Sequence, residues 1–243
     1  MHSYIRITLT IILLLPIHVL AHGLEPGLRV DPGSLPGSFK YLFERPAEWI
    51  DVNLLTLSTK EKQDKKRQLS SERVAEMGPL LYGENPKLKH LETALGRYQY
   101  YLESAEDMAE KIIFLDGAEI GIAEQFEEET RLQEKFLREL LEGAPNNELT
   151  TVVRQAVTLA RLQNEKIFKF MVKNYQFTDA DIRKHQIILS WHMLLVREAM
   201  QLTDDQDKLK KAEDLLVEAE KHRRAGLNKE GYDLISKAKN IVY

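Results

Sequence analysis

Leu88, Leu91, Leu95, Tyr98, Leu102, Ala105, Ala109 and Ile112 recur at alternating steps of three and four residues. Side chains at that spacing fall on one seam of an α-helix, and a seam held for about three and a half heptads needs another helix to cover it. A chain with such a segment is constrained to fold as packed helices. Asn85-Pro86 supplies the start, with Asn as N-cap and Pro at the first helical position. The same phase then meets Asp116 and Glu119 beside Gly117 and Gly121, and resumes at Ala123, Phe126, Thr130, Leu137 and Leu140. A single helix over 86–142 would be about 85 Å long at 1.5 Å per residue. A kink or break is therefore expected near 116–121.

Local signals divide the rest of the chain. Ser58-Thr59-Lys60-Glu61 has capping-box spacing and opens a helix expected to reach Met77. In "GAPNN" (143–147) a stop is followed by a fresh N-cap. Leu149, Val153, Ala156, Ala160, Ile167 and Met171 then mark one face of a helix reaching Tyr175. Thr178-Asp179-Ala180-Asp181 caps the next helix, to about Leu202, and 203–205 caps another. The last stretch is expected to be a helical hairpin turned at Gly226-Leu227-Asn228, tetratricopeptide-like in spacing but without a second copy at a fixed period. Charged residues make up 30% of the chain, while Gly and Pro gather near segment ends. No segment alternates as a strand should. The fold class is all-α: an elongated multi-helix bundle with coiled-coil-like long helices and a C-terminal hairpin.

The N-terminus points to export. Arg6 precedes the apolar run 7–15, Pro16 closes it, and Val19-Leu20-Ala21 suits a signal peptidase. The run is short for a bilayer span, which takes about 20 residues. A cleaved signal over 1–21 is expected, with a periplasmic or extracellular product, and an uncleaved anchor is the alternative. No later segment is apolar enough to cross a membrane. The organisation expected downstream is a flexible segment over 22–34, a helical domain over 35–177 and C-terminal helices over 178–243. Loss of 1–21 takes the net charge from −4 to −5, which argues against nucleic acid and against strong attraction to anionic membranes. There is no cysteine, hence no disulfide, thiol nucleophile or thiolate metal site.

"LPGSFKYLFERPAEWI" (35–50) mixes conflicting signals. Ser38 with Phe39, Leu42 and Phe43 reads as a capped helix, yet Pro46 falls a little over two turns in. Proline there removes the hydrogen bond to the Leu42 carbonyl and costs about 3 kcal/mol unless the helix bends or restarts. Two short segments are expected, with Arg45 and Glu48 paired across the bend. Phe39, Tyr41, Phe43 and Trp49 read as core anchors, since aromatic burial dominates core energetics; the competing reading is an aromatic platform for sugar or peptide. Tyr98, Tyr100 and Tyr101 read as core on the same ground. Pro36, Ser38, Tyr41, Arg45 and Glu48, followed by Lys62, Lys66, Leu69, Glu72, Arg73 and Glu76, resemble the motif of a bacterial family of exported and membrane-attached helical domains of unknown function. The resemblance covers about 35–167 and implies an extracytoplasmic helical bundle without implying a reaction. Pro46 departs from that pattern.

His185 and His192 lie within the apolar face formed by Ile182, Ile188, Leu189, Leu195, Val196 and Met200, about 10 Å apart along the helix. They are too far apart to share one zinc ion and are expected to be buried and hydrogen-bonded. No histidine has Glu three residues earlier, as a ferritin-like di-iron site requires. Cleavage after Ala21 would leave His22 at the terminus, where amine and imidazole together chelate copper. That junction is similar to the start of copper-dependent polysaccharide monooxygenases, although nothing else here matches them. His22, His185 and His192 are thus the candidate metal ligands, and no cofactor is implied. The acidic run over 103–129 reads as a solvated helix face. "DDQD" (204–207) lacks the rest of a calcium loop, and no Gly-rich phosphate loop, G-x-S-x-G elbow or H-E-x-x-H is present. An enzyme is not expected. The function expected is a non-catalytic interaction or scaffold module of the cell envelope with a protein or envelope partner; the alternative is a sensor or carrier of a metal ion or small ligand.

Overall fold

The computed structural model of the protein describes residues 28, 30–116, 120–174 and 182–243. The signal segment, His22 and the cap expected at 178–181 lie outside them. The described residues form eight α-helices: α1 Tyr41–Ile50, α2 Thr59–Tyr82, α3 Leu88–Asp116, α4 Ile120–Glu142, α5 Asn147–Asn174, α6 Ile182–Met200, α7 Gln206–Arg224 and α8 Asn228–Val242. A π-helical turn, Asp51–Leu55, continues α1. The described residues contain no strand, and the fold is all-α.

Helices α2 and α3 run antiparallel, since Lys66 meets Ser104 while Arg73 and Arg97 converge on one glutamate, Glu48. Helices α4 and α5 do the same, with Asn164 on Glu127 and Arg161 on Glu134. Helix α6 runs parallel to α8, matching His185 to Tyr232 and His192 to Lys239. Helices α7 and α8 form the expected hairpin, and Gly226 supplies the positive φ (73°) that its turn requires. One buried apolar cluster runs from Val74 in α2 to Ala238 in α8 and takes in residues of α3 to α7. The seam of α3 lies within it through Leu91, Tyr98, Leu102, Ala105 and Ala109, with Leu95 only partly covered. Asn146 caps α5 through the Leu149 N–H at 3.0 Å, and Asp205 caps α7 through the N–H groups of Asp207 and Lys208.

Several local expectations are corrected. Pro46 does not restart the first helix: α1 runs unbroken through it, pinned by contacts of Tyr41 and Glu48 described below. Ser58 occupies the N-cap of α2 with extended backbone, but its side chain makes no capping bond; the end is exposed, so water can serve its donors. Helix α2 continues past Met77 through Gly78-Pro79 to Tyr82 because Leu80 and Leu81 are drawn into the core. Helix α3 begins at Leu88, not Pro86, with the Lys87 carbonyl accepting from the N–H groups of His90 and Leu91. The acidic run is solvated at Glu103, Asp107 and Glu128 but buried at Glu124 and Glu127.

Candidate interaction site

Helix α1 is oriented against the expectation for an aromatic-rich helix. Tyr41, Glu48 and Val52, spaced at 0, 7 and 11, face the bundle. The opposite face, carrying Leu42, Phe43, Pro46, Trp49 and Ile50, points outward. Phe39 is 75% exposed, Phe43 64% and Trp49 56%; Leu54 and Leu55 extend the strip, and Leu57 is 90% exposed. The reading of these aromatics as core anchors is therefore wrong for all but Tyr41. Tyr98 and Tyr101 are buried as expected, but Tyr100 is 57% exposed and stands beside the strip. Burial of one large apolar side chain is worth about 1.5–3 kcal/mol, so leaving these eight outside forgoes on the order of 10 kcal/mol. Contiguous apolar surface of this kind marks a contact site.

Charge chemistry under α1 explains the inversion. Glu48 reaches inward to Arg73 on α2 (3.1 Å), to Arg97 on α3, and accepts a 2.7 Å hydrogen bond from the Tyr101 hydroxyl. Arg73 is fully buried and also faces Glu72 (3.3 Å) and Glu76 (3.0 Å). The Arg97 guanidinium stacks over the rings of Tyr41, at 5.0 Å, and Tyr101, at 5.7 Å. The salt bridge of the largely buried Arg97 is to Glu48, and leaving that guanidinium unpaired would cost several kcal/mol, so Glu48 is held inward and α1 must turn its other face to solvent. Two guanidinium groups here meet three carboxylates. Burial pushes Glu76 up to about 8, against the opposing pull of Arg73 and Arg97, and neither of its oxygens has a hydrogen-bond donor among the described residues. Burial raises Glu72 as well, and burial together with the Glu48 carboxylate pushes the Tyr101 hydroxyl up to about 12.

A cleft of about 660 Å³ opens where the strip meets α3, between Leu42, Pro46 and Trp49 on one side and Gly96, Tyr100 and Tyr101 on the other, with Arg45 at its edge. Gly96 lies within α3, where glycine costs about 1 kcal/mol relative to alanine. A Cβ added there would meet no atom within 4 Å. Packing within the chain therefore does not require this glycine, and close approach of an occupant of the cleft would.

A second polar cluster lies deep between α4, α5, α6 and α8. His185 bonds the Tyr232 hydroxyl through Nδ1 (3.1 Å), with Glu124 3.5 Å from Nε2. Lys239 reaches His192 Nδ1 at 2.7 Å and also pairs with Glu165, while Glu127 lies 3.8 Å from His192 Nε2. The Phe168 ring lies 3.8 Å from the His192 ring and 4.4 Å from the Lys239 ammonium. Complete burial, then the nearby charges of Lys239 and Arg131, hold His192 well below the ordinary imidazole range, so it is neutral at pH 7. Burial also lowers Lys239. Both histidines are buried and bonded as expected, each to a different set of groups. Among the described residues no group of three or more His, Asp or Glu side chains is placed to hold a metal ion.

The structure gathers Tyr41, Glu48, Glu72, Arg73 and Glu76 of the quoted motif into one cluster, with Pro36 buried nearby in sequence and the Ser38 hydroxyl accepting from the Tyr41 N–H at 3.4 Å. It separates Arg45, which is exposed beside the cleft and does not pair with Glu48; that expectation fails because the Glu48 carboxylate is turned inward and satisfied by Arg73 and Arg97. Arg97, Tyr101 and Gly96 belong to the site and were missed by sequence reasoning. The one available signal was "GRYQYY", a glycine and an arginine breaking an otherwise regular seam. Comparison of the chain with protein-family models, with curated proteins and with solved structures gave no match.

Proposed function

We propose that the protein is an exported, non-catalytic helical interaction module of the cell envelope, and that its contact surface is the outward face of α1 with the adjoining cleft. The observation that carries this reading is the inverted α1: Glu48 is turned inward and the apolar side chains from Phe39 to Leu57 are left uncovered. A rigid base supports the surface, because Glu48, Arg73, Arg97 and Tyr101 fix the helix from beneath. The export half rests on Arg6, the apolar run 7–15 and the Val19-Leu20-Ala21 junction. The resemblance of 35–167 to exported helical domains agrees with it.

Co-sedimentation of the mature protein with envelope fractions of the source cells tests the reading. Phe43→Asp and Trp49→Asp should abolish binding, whereas Val217→Asp, at an exposed apolar position on α7, should leave it intact. Equal loss in all three, or no binding by the unaltered protein, would overturn it.

A further inference from the structure

Resting on that reading, we infer that the occupant of the α1 face is the surface of an anionic lipid bilayer. Phe39 and Phe43 are in edge-to-face contact with ring centres 5.2 Å apart, Leu42 and Trp49 line the cleft, and Leu54 and Leu55 are exposed just past the helix. Aromatic and aliphatic side chains on one face, with cations at its borders, are what a helix lying in a bilayer interface presents. The strip offers almost no hydrogen-bonding groups, which a sugar would require.

Charge decides between a lipid surface and a second copy of the chain. Residues 36–67 hold seven basic and five acidic residues within a chain of net charge −4. Three of the five acids are consumed internally: Glu48 by Arg73 and Arg97, Asp51 by Lys65 at 2.5 Å, Asp64 by Arg67 at 3.1 Å. Lys40 and Arg45, both exposed beside the strip, have no acidic partner among the described residues. A two-fold dimer through this face would bring those cations toward their own copies. Lipid phosphates would instead neutralise them, each basic residue near an anionic leaflet being worth about a fivefold gain in binding. The cleft beside Gly96, walled by Leu42, Trp49 and Tyr100, gives an acyl chain a slot with Arg45 at its mouth for the phosphate. Net charge over the whole chain does not register this, because it ignores where on the surface the unpaired cations sit.

The chain has two tryptophans, so Trp191→Phe leaves Trp49 as the only indole. On phosphatidylcholine–phosphatidylglycerol vesicles, Trp49 emission should shift to the blue and be quenched by brominated acyl chains. Lys40→Glu with Arg45→Glu should weaken partitioning by about tenfold or more, as should high salt, and the neutral change Leu54→Ser should weaken it without altering the salt dependence. Should Trp191→Phe fail to fold, flotation of the unaltered protein with the same vesicles, set against Phe43→Asp, reads the same property. Equal partitioning onto pure phosphatidylcholine vesicles would overturn the anionic assignment. Binding to envelope fractions but not to protein-free vesicles would overturn the lipid inference and leave the interaction module standing, with a protein as its partner. Binding to neither would remove both.

Discussion

Replacing Glu76 by Gln tests the charge imbalance that sets the orientation of α1. Glu76 is fully buried, 3.0 Å from Arg73, and shares two guanidinium groups with Glu48 and Glu72. Burial raises its carboxyl from the ordinary 4.5 to about 8. A raised carboxyl means that the folded state holds the proton more tightly than the unfolded chain does. Its contribution to stability is complete below pH 4.5, declines as pH rises, and is lost once pH passes about 8. The change corresponds to about 5 kcal/mol at most, and relaxation around the charged form will reduce it. Gln mimics the protonated form in shape and does not titrate. Urea denaturation followed by helical circular dichroism should therefore find the two proteins nearly equal at pH 4.5 and the Gln variant more stable by several kcal/mol at pH 9. Glu129, which burial pushes up to about 7, adds a loss of the same sign to both proteins and cancels in the difference. A difference that does not change with pH, or a Gln variant less stable at pH 9, would show that Arg73 fully satisfies an ionised Glu76 and that the imbalance does not exist.

Leu102→Ala should cost about 2–5 kcal/mol in the same assay, because the side chain is buried in the main cluster, and Leu95→Ala should cost less, because its side chain is only partly covered. Gly96→Ala should stabilise the isolated protein by about 0.5–1 kcal/mol while weakening envelope binding; a loss of stability would mean that the cleft floor is already packed. Imidazole carbon shifts of His192 should show no titration near the ordinary 6.5, and since the unfolded chain takes up that proton, stability should fall as pH drops below 6.5. Mass analysis of the exported protein should find His22 at its terminus; retention of Met1 in that pool would replace the cleaved product with a tethered one.

Periodicity exposed the long helices because a seam of eight apolar residues has few ways to be buried. Turn chemistry placed their ends where a single residue decides the backbone, as at Gly226 and at the Asn146 and Asp205 caps. It misplaced the end of α2, where Leu80 and Leu81 gain more from the core than Gly78-Pro79 loses. Burial of the two histidines was legible from their place on an apolar face. Their partners were not, since Tyr232 and Lys239 lie 47 residues away.

The candidate site was half legible. Local sequence located the aromatic stretch and its charged neighbours, and hydrophobicity alone then assigned the rings to the core. Which face of α1 turns inward depends on Arg73 and Arg97, which come from two other helices and meet Glu48 only after α2 and α3 have paired. The sequence by itself determined an all-helical chain, the Gly226 turn with the Asn146 and Asp205 caps, and the buried seam, because those follow from residues at most four apart. Tertiary structure decided that an arginine with three acids would occupy the inside and that Phe39, Phe43 and Trp49 would be left outside. The guanidinium groups of Arg73 and Arg97 draw the Glu48 carboxylate beneath α1, and a helix that turns this face inward cannot also bury the rings on its other side.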